Sequence, residues 1–211
     1  MLDLLKISEA LQDGDSEKTH ILTEQAIAEG QEPKEILDTG LIAGMAVIGK
    51  RFREHKIFLP NVLLAAKAMY AGMDLLRPLF IKDGMPSKGK IVIGTVQGDL
   101  HDIGKNLVGI MLKGAGYEVI DLGKDVSVEN FIETAVREDA DAIGMSALLT
   151  TTQPVMQKVV EHLKKKGLNT QIKTIIGGAP ISDEFAQEIG ADAYAFDASS
   201  AVDRMGNLME A

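Results

Sequence analysis

The sequence predicts an α/β protein in which a four-helix bundle precedes a doubly wound parallel sheet. Three observations carry that expectation. Residues 1–82 show helical periodicity and no convincing strand. Beyond residue 89, apolar strands alternate with helical stretches. Between them, the Gly-, Pro- and Ser-containing segment 83–89 reads as a linker, so the expected organisation is 1–82, 83–89 and 90–211.

The elements follow in order. Leu4, Ile7 and Leu11 share one helical face, and Gly14 followed by Asp15-Ser16-Glu17 supplies a stop and the N-cap of a second helix. Gly30 and Pro33 repeat that punctuation before a third helix, whose stripe is Leu37, Leu41, Met45, Ile48 and Phe52. Pro60 opens a fourth, with Val62, Leu63, Ala66, Met69, Met73 and Leu76 on its apolar face. Core packing accounts for these methionine-rich stripes. Strands are expected at 90–96, 117–122, 140–146, 173–177 and 191–196, and helices near 104–115, 127–138, 153–167, 182–189 and 199–209. Five consecutive βα units imply a parallel sheet of the flavodoxin or Rossmann type.

Composition removes several functions. With no cysteine, disulfides, thiolate zinc sites, iron–sulfur clusters and cysteine nucleophiles are excluded together, leaving His, Asp and Glu as metal ligands. The 4 histidines are His20, His55, His101 and His162. A net charge of −9 without a basic run argues against nucleic acid as a partner. No stretch approaches the roughly 20 apolar residues of a membrane span. The start Met-Leu-Asp-Leu-Leu-Lys lacks a secretory layout, so a cytoplasmic location is expected.

The loop after the first strand, Gly94 to Gly104, places His101 two residues from Asp99 at the sheet's crest, where open α/β sheets bind ligands. An imidazole there is a metal ligand, an acid/base, or a loop residue bonded to Asp99. The crest also takes in 123–125, 146–152, 177–180 and 196–199. Met145-Ser146-Ala147 offers no acidic phosphoacceptor at the end of the third strand. Gly94, Gly98 and Gly104 have the wrong spacing for a dinucleotide turn. Gly177-Gly178 is either a tight turn or a bare backbone against which a bulky ligand lies. Ser146 and Leu148 are expected to divide between core and crest, and Thr150-Thr151-Thr152 reads as an N-cap cluster.

Taken together, Asp99-Leu100-His101-Asp102-Ile103-Gly104, Ser146-Ala147-Leu148 and Gly177-Gly178 resemble the cobalamin-binding signature Asp-x-His-x-x-Gly, Ser-x-Leu, Gly-Gly. The stretch from Gly49 to Val62 resembles the helical cap of methionine synthase and of the corrinoid proteins of anaerobic methyltransferase systems. The resemblance implies that His101 ligates cobalt from the lower face, with Asp99 on its other ring nitrogen and Thr152 completing a relay. It further implies that Gly98 to Asp102 and Ala198 line the corrin's lower face and that Gly104 is a cofactor-binding residue. The cofactor's nucleotide tail would pass Ser146, Leu148 and Thr150 and lie on Gly177 and Gly178. Phe52, Leu59 and Val62 would cap the upper face, with Asp38 nearby. The implied cofactor is cobalamin or a related corrinoid, cycling between cob(I)alamin and methylcob(III)alamin. The chain would then be a non-catalytic methyl carrier with Gly84 and Pro86 as hinge points. Its partners would be a substrate-specific methyltransferase, a second methyltransferase with a thiol or tetrahydrofolate acceptor, and a reductive activation protein. Methanol, methylamines, quaternary amines such as glycine betaine, and aryl methyl ethers are the donors such systems serve. An adenosylcobalamin mutase subunit, a cobalamin-dependent sensor, and a cobalamin storage or delivery protein are the alternatives.

Overall fold

The computed structural model describes residues 2–80 and 86–210, so Asp83, Gly84 and Met85 of the expected linker lie outside the described residues. The chain divides into two compact units, Met1–Ser87 with Gly114–Gly116, and Lys88–Lys113 with Tyr117–Ala211. Among the described residues, no helix is long and apolar enough to cross a membrane.

The first unit is helical. Helix α1 spans Leu5–Gln12, and α2 spans Ser16–Ala28 with the Asp15 carboxylate accepting from the Lys18 N–H at 2.9 Å as its N-cap. The third helical segment is not uniform. It comprises a short α3 (Pro33–Glu35), a π-helical stretch (Ile36–Ile42) and α4 (Ala43–Arg53). Leu37, Leu41 and Met45 succeed one another at spacings of four across this stretch, and all three are buried. Helix α5 (Leu59–Leu76) packs along α2 and ends in a single 3₁₀ turn, Arg77–Phe80. Gly72 permits the approach, because a Cβ there would meet Leu41 at 2.9 Å and Thr23 at 3.0 Å. Leu63 departs from expectation. It is 47% exposed, since the buried stripe runs through Val62, Ala66, Met69 and Leu76, and Leu63 lies a hundred degrees away on the helix wheel.

The second unit alternates strand and helix throughout: β1 (Lys90–Thr95), α6 (Ile103–Gly114), β2 (Glu118–Asp121), α7 (Val128–Arg137), β3 (Ala142–Ser146), α8 (Gln153–Lys165), β4 (Lys173–Gly177), α9 (Asp183–Ile189), β5 (Ala193–Ala195) and α10 (Ala198–Met209). All five strands are parallel, in the order β2-β1-β3-β4-β5. Strand order therefore reverses between β1 and β3, and the crevice outside their carboxyl ends is where this topology binds ligands. Val92, Ile143, Met145 and Ile176 bury one face of the sheet against Phe131 and Ile132 of α7 and Met156 and Val159 of α8. On the other face, Thr95, Ser146, Gly177 and Ala195 are register partners and form a row along the crest.

Candidate metal and cofactor site

Strand β1 ends at Thr95, and the chain turns sharply before α6 begins. Gly98 makes the turn at φ +84°, and its N–H donates to the Asp125 carboxylate at 2.7 Å. The next residue is the centre of the site. Asp99 has no exposed surface, and its carboxylate meets five donors: the His101 N–H (3.0 Å) and ring Nδ1 (2.8 Å) on one oxygen, and the Leu148 N–H (2.7 Å), Leu149 N–H (3.0 Å) and Thr152 hydroxyl (3.1 Å) on the other. Burial pushes this carboxyl's pKa up. The hydrogen bonds from His101, Leu148 and Leu149 outweigh that and hold it well below the usual carboxylate range.

An ionised carboxylate only accepts, so the ring nitrogen facing it carries the proton. His101 is thereby held as the Nδ1–H tautomer, with its Nε2 lone pair available. The side chain is 53% exposed, and Nε2 has no protein partner among the described residues. Of the three roles open to His101, this arrangement suits a metal ligand or an acid/base, since both use a free Nε2 lone pair. Among the described residues no three His, Asp or Glu side chains stand together as a cation site, so a metal held by His101 would have to bring most of its other donors with it.

Several residues hold the loop without having been singled out by motif. The Thr95 hydroxyl donates to the His101 carbonyl at 3.0 Å. Lys105, in the first turn of α6, is only 4% exposed and pairs with Asp121 at the end of β2 at 2.5 Å. A lysine among apolar helix positions was the available signal, since a buried ammonium requires a partner.

Two expectations are corrected. The Thr152 hydroxyl caps nothing: α8 has no side-chain cap bond, and the oxygen lies 3.1 Å from Asp99 Oδ2 and 2.8 Å from the Leu149 carbonyl. Ser146 and Leu148 do not divide between core and crest. Residues two apart on a strand share a face, and it is Ala147 between them that enters the core, while Ser146 is half-buried and Leu148 is 44% exposed. The glycine pair has a cause inside the protein. A Cβ at Gly178 (φ +132°) would lie 1.8 Å from the Ala147 carbonyl oxygen, and one at Gly177 would lie 2.8 Å from that of Ala195.

The remaining candidates fall as follows. Leu100 and Thr150 are exposed, Asp102 is half-buried, and Ala198, the first residue of α10, is buried. Leu100, Ile103, Leu148, Leu149 and Phe196 leave the crest of the second unit unusually apolar. In the helical unit, Phe52 and Leu59 are half-buried, and Asp38 is exposed and paired with Lys34 at 2.8 Å. Val62 has no exposed surface.

Gly104 tests whether a large group fits. It is the second residue of α6 and exposed, and a Cβ there would meet nothing within 4 Å. Glycine in a helix costs roughly 0.5–1 kcal/mol relative to alanine, and nothing in the chain itself requires it here. A flat ligand lying against the start of α6, on the side of His101, would. These residues fit a corrinoid.

Fold and site together define a ligand-binding α/β protein whose single imidazole, set by a buried carboxylate, is presented at the switch point. Residues 89–204 match the B12 binding domain family, and residues 4–77 match a second B12 binding domain family. The chain belongs to the B12-binding corrinoid proteins, as the three-part signature implied. It is 43% identical to a corrinoid protein of Desulfitobacterium hafniense strain Y51 over 212 residues, covering 99% of this chain and 97% of that one. It is 47% identical to dimethylamine corrinoid protein 1 of Methanosarcina acetivorans over 194 residues, covering 91% of each. Among solved structures, the methanol:cobalamin methyltransferase complex of Methanosarcina barkeri matches 98% of this chain and 79% of that chain at a TM-score of 0.90 and 29% identity.

Proposed function

We infer that this protein carries a methyl group on a bound corrinoid, receiving it from a substrate-specific methyltransferase, and does not catalyse the transfer itself. The observation that carries this reading is the Asp99–His101 pair at the β1/β3 switch point, in a chain that belongs to the B12-binding family. The bound corrinoid supplies the methyl-accepting and methyl-donating chemistry at cobalt.

The protein's own residues ligate, orient and shield. Asp99 keeps the Nδ1 proton in place and so directs Nε2 outward as the ligand. A proton arriving at Nε2 would release His101 as an imidazolium, and the same carboxylate would stabilise that charge. Protonation and deprotonation of the ring would need no rearrangement of Asp99, whose second oxygen is held by Leu148, Leu149 and Thr152. Ser146 and Gly177, adjacent on the crest row, offer a small polar group beside bare backbone, which suits a nucleotide tail. Phe52 and Leu59 are the residues of the helical unit that we propose as a shield for a bound corrinoid.

The donor we propose is an N-methyl compound, a reading supported by the relative named for dimethylamine. A second methyltransferase with a thiol or tetrahydrofolate acceptor, and a reductive activation protein, complete the proposed set of partners. The test is reconstitution of the purified protein with a corrinoid, followed by reduction and addition of a partner methyltransferase with dimethylamine, glycine betaine or methanol. Methylation of the cobalt, read by absorbance, is expected with an N-methyl donor. A protein methylated from methanol alone would overturn the donor, and one that takes up no corrinoid would overturn the function.

A further inference from the structure

We propose that Thr95 is a positioning residue for His101, holding the ligand from its backbone while Asp99 holds it from its ring; the role as a ligand rests on the corrinoid reading above. Thr95 is the last residue of β1 and has no exposed surface. Each of its polar groups is engaged. The hydroxyl donates to the His101 carbonyl at 3.0 Å, the N–H donates to the Gly123 carbonyl at 2.9 Å, and the carbonyl accepts from the Val126 N–H at 3.0 Å. Gly123 is itself fixed, because its N–H donates to Asp121 at 2.8 Å, and Asp121 holds the buried ammonium of Lys105.

The segment from Asp99 to Lys105 is thus tied at three places. Its start is tied through the Asp99 carboxylate to the loop before α8, its middle through the His101 carbonyl to Thr95, and its end through Lys105 to Asp121. A half-exposed imidazole on a loop would otherwise sample several directions, and a metal ligand must be held within about 0.5 Å of its working position. The ordinary explanation for a threonine at this place is its preference for strands. Valine would satisfy that equally. The preference does not explain why the buried hydroxyl is spent on the carbonyl of the one histidine at the crest.

Thr95→Val removes the donor at nearly constant shape, and Thr95→Ser keeps it. In the cofactor-free protein the His101 amide donates to Asp99, so its hydrogen exchange reports how often the loop that Thr95 anchors opens. Loss of one hydrogen bond worth about 1 kcal/mol should speed that exchange about fivefold in Thr95→Val and leave Thr95→Ser within about twofold of wild type. In the corrinoid-loaded protein, electron paramagnetic resonance of the Co(II) form counts the fraction with a histidine nitrogen on cobalt. That equilibrium should shift about fivefold toward the histidine-free form in Thr95→Val and recover in Thr95→Ser. Unchanged exchange in Thr95→Val overturns the proposal, as does an equal loss in Thr95→Ser, which would assign the effect to packing of the methyl group. Should valine prevent folding, Thr95→Ala is read by the same two measurements, and wild-type behaviour in it counts equally against the proposal. A wild-type protein that binds corrinoid without histidine on cobalt would overturn the ligand role of His101, while the exchange data would still decide whether Thr95 anchors the loop.

Discussion

Asp99 meets its five donors with two oxygens that can only accept, and this makes an apparently mild substitution severe. In Asp99→Asn one oxygen becomes an NH₂. Facing Leu148 and Leu149, it would leave two backbone N–H groups without an acceptor. Facing His101, it would donate to Nδ1, move the ring proton to Nε2 and remove the lone pair that the metal needs. Either orientation weakens ligation, and each unsatisfied buried donor costs about 1–3 kcal/mol. The variant should melt earlier without cofactor and bind corrinoid without histidine on cobalt; a normal melting point with normal ligation would refute the account. The same carboxylate sets a pH dependence. Its pKa in the folded protein is held below the unfolded value, so its stabilising contribution is complete above about pH 4 and is lost as pH falls through that value toward the lower one. Denaturant titrations of the cofactor-free protein should show a steeper acid loss in wild type than in Asp99→Asn. At this scale the sequence reveals residues close in the chain: Asp99 and His101 lie two apart in one loop. Thr152 reads as a cap from its local sequence, because nothing local shows that its hydroxyl faces a carboxylate far back in the chain; only the family resemblance gave it a place beside Asp99.

At the scale of elements, two glycines of one signature have opposite physical causes. Gly178 is required by the sheet, since a Cβ would overlap the Ala147 carbonyl and the backbone there is at φ +132°. Gly178→Ala should therefore destabilise the cofactor-free protein by about 2 kcal/mol or more. Gly104 is required by nothing in the chain. Gly104→Ala should raise the stability of the cofactor-free protein by up to about 1 kcal/mol and yet lower its affinity for corrinoid. Thermal melting and corrinoid titration of the two variants separate the causes, and a destabilised Gly104→Ala would show that the helix itself needs the glycine. Strands and helices were legible from apolar runs and punctuation, and the least secure parts were their ends. The fifth strand, expected over 191–196, pairs only over Ala193–Ala195. The π-helical stretch was not legible, because spacings of four fit an ordinary helix as well.

For the molecule as a whole, alternating βα units specify a parallel sheet but not its strand order. The order β2-β1-β3-β4-β5 depends on β1 pairing with β3 across the intervening α6, β2 and α7, and no local pattern encodes that. Membership of the B12-binding family was nonetheless legible, since three separated motifs recur in the right sequence whatever the order of the strands. In the helical unit, exposure separates the residues proposed as a cap into two groups. Val62 is fully buried, so Val62→Ala leaves a cavity and should cost about 1–3 kcal/mol in thermal or denaturant melting, without a specific effect on the cofactor. Phe52 and Leu59 are only half-buried. If they shield the methyl group on cobalt, Phe52→Ala and Leu59→Ala should melt close to wild type in the cofactor-free protein but photolyse the methylated corrinoid faster. A Leu59→Ala variant that melts several degrees lower and photolyses at the wild-type rate would place Leu59 with Val62 in the bundle's interior, and the shield would then have to be sought in other residues.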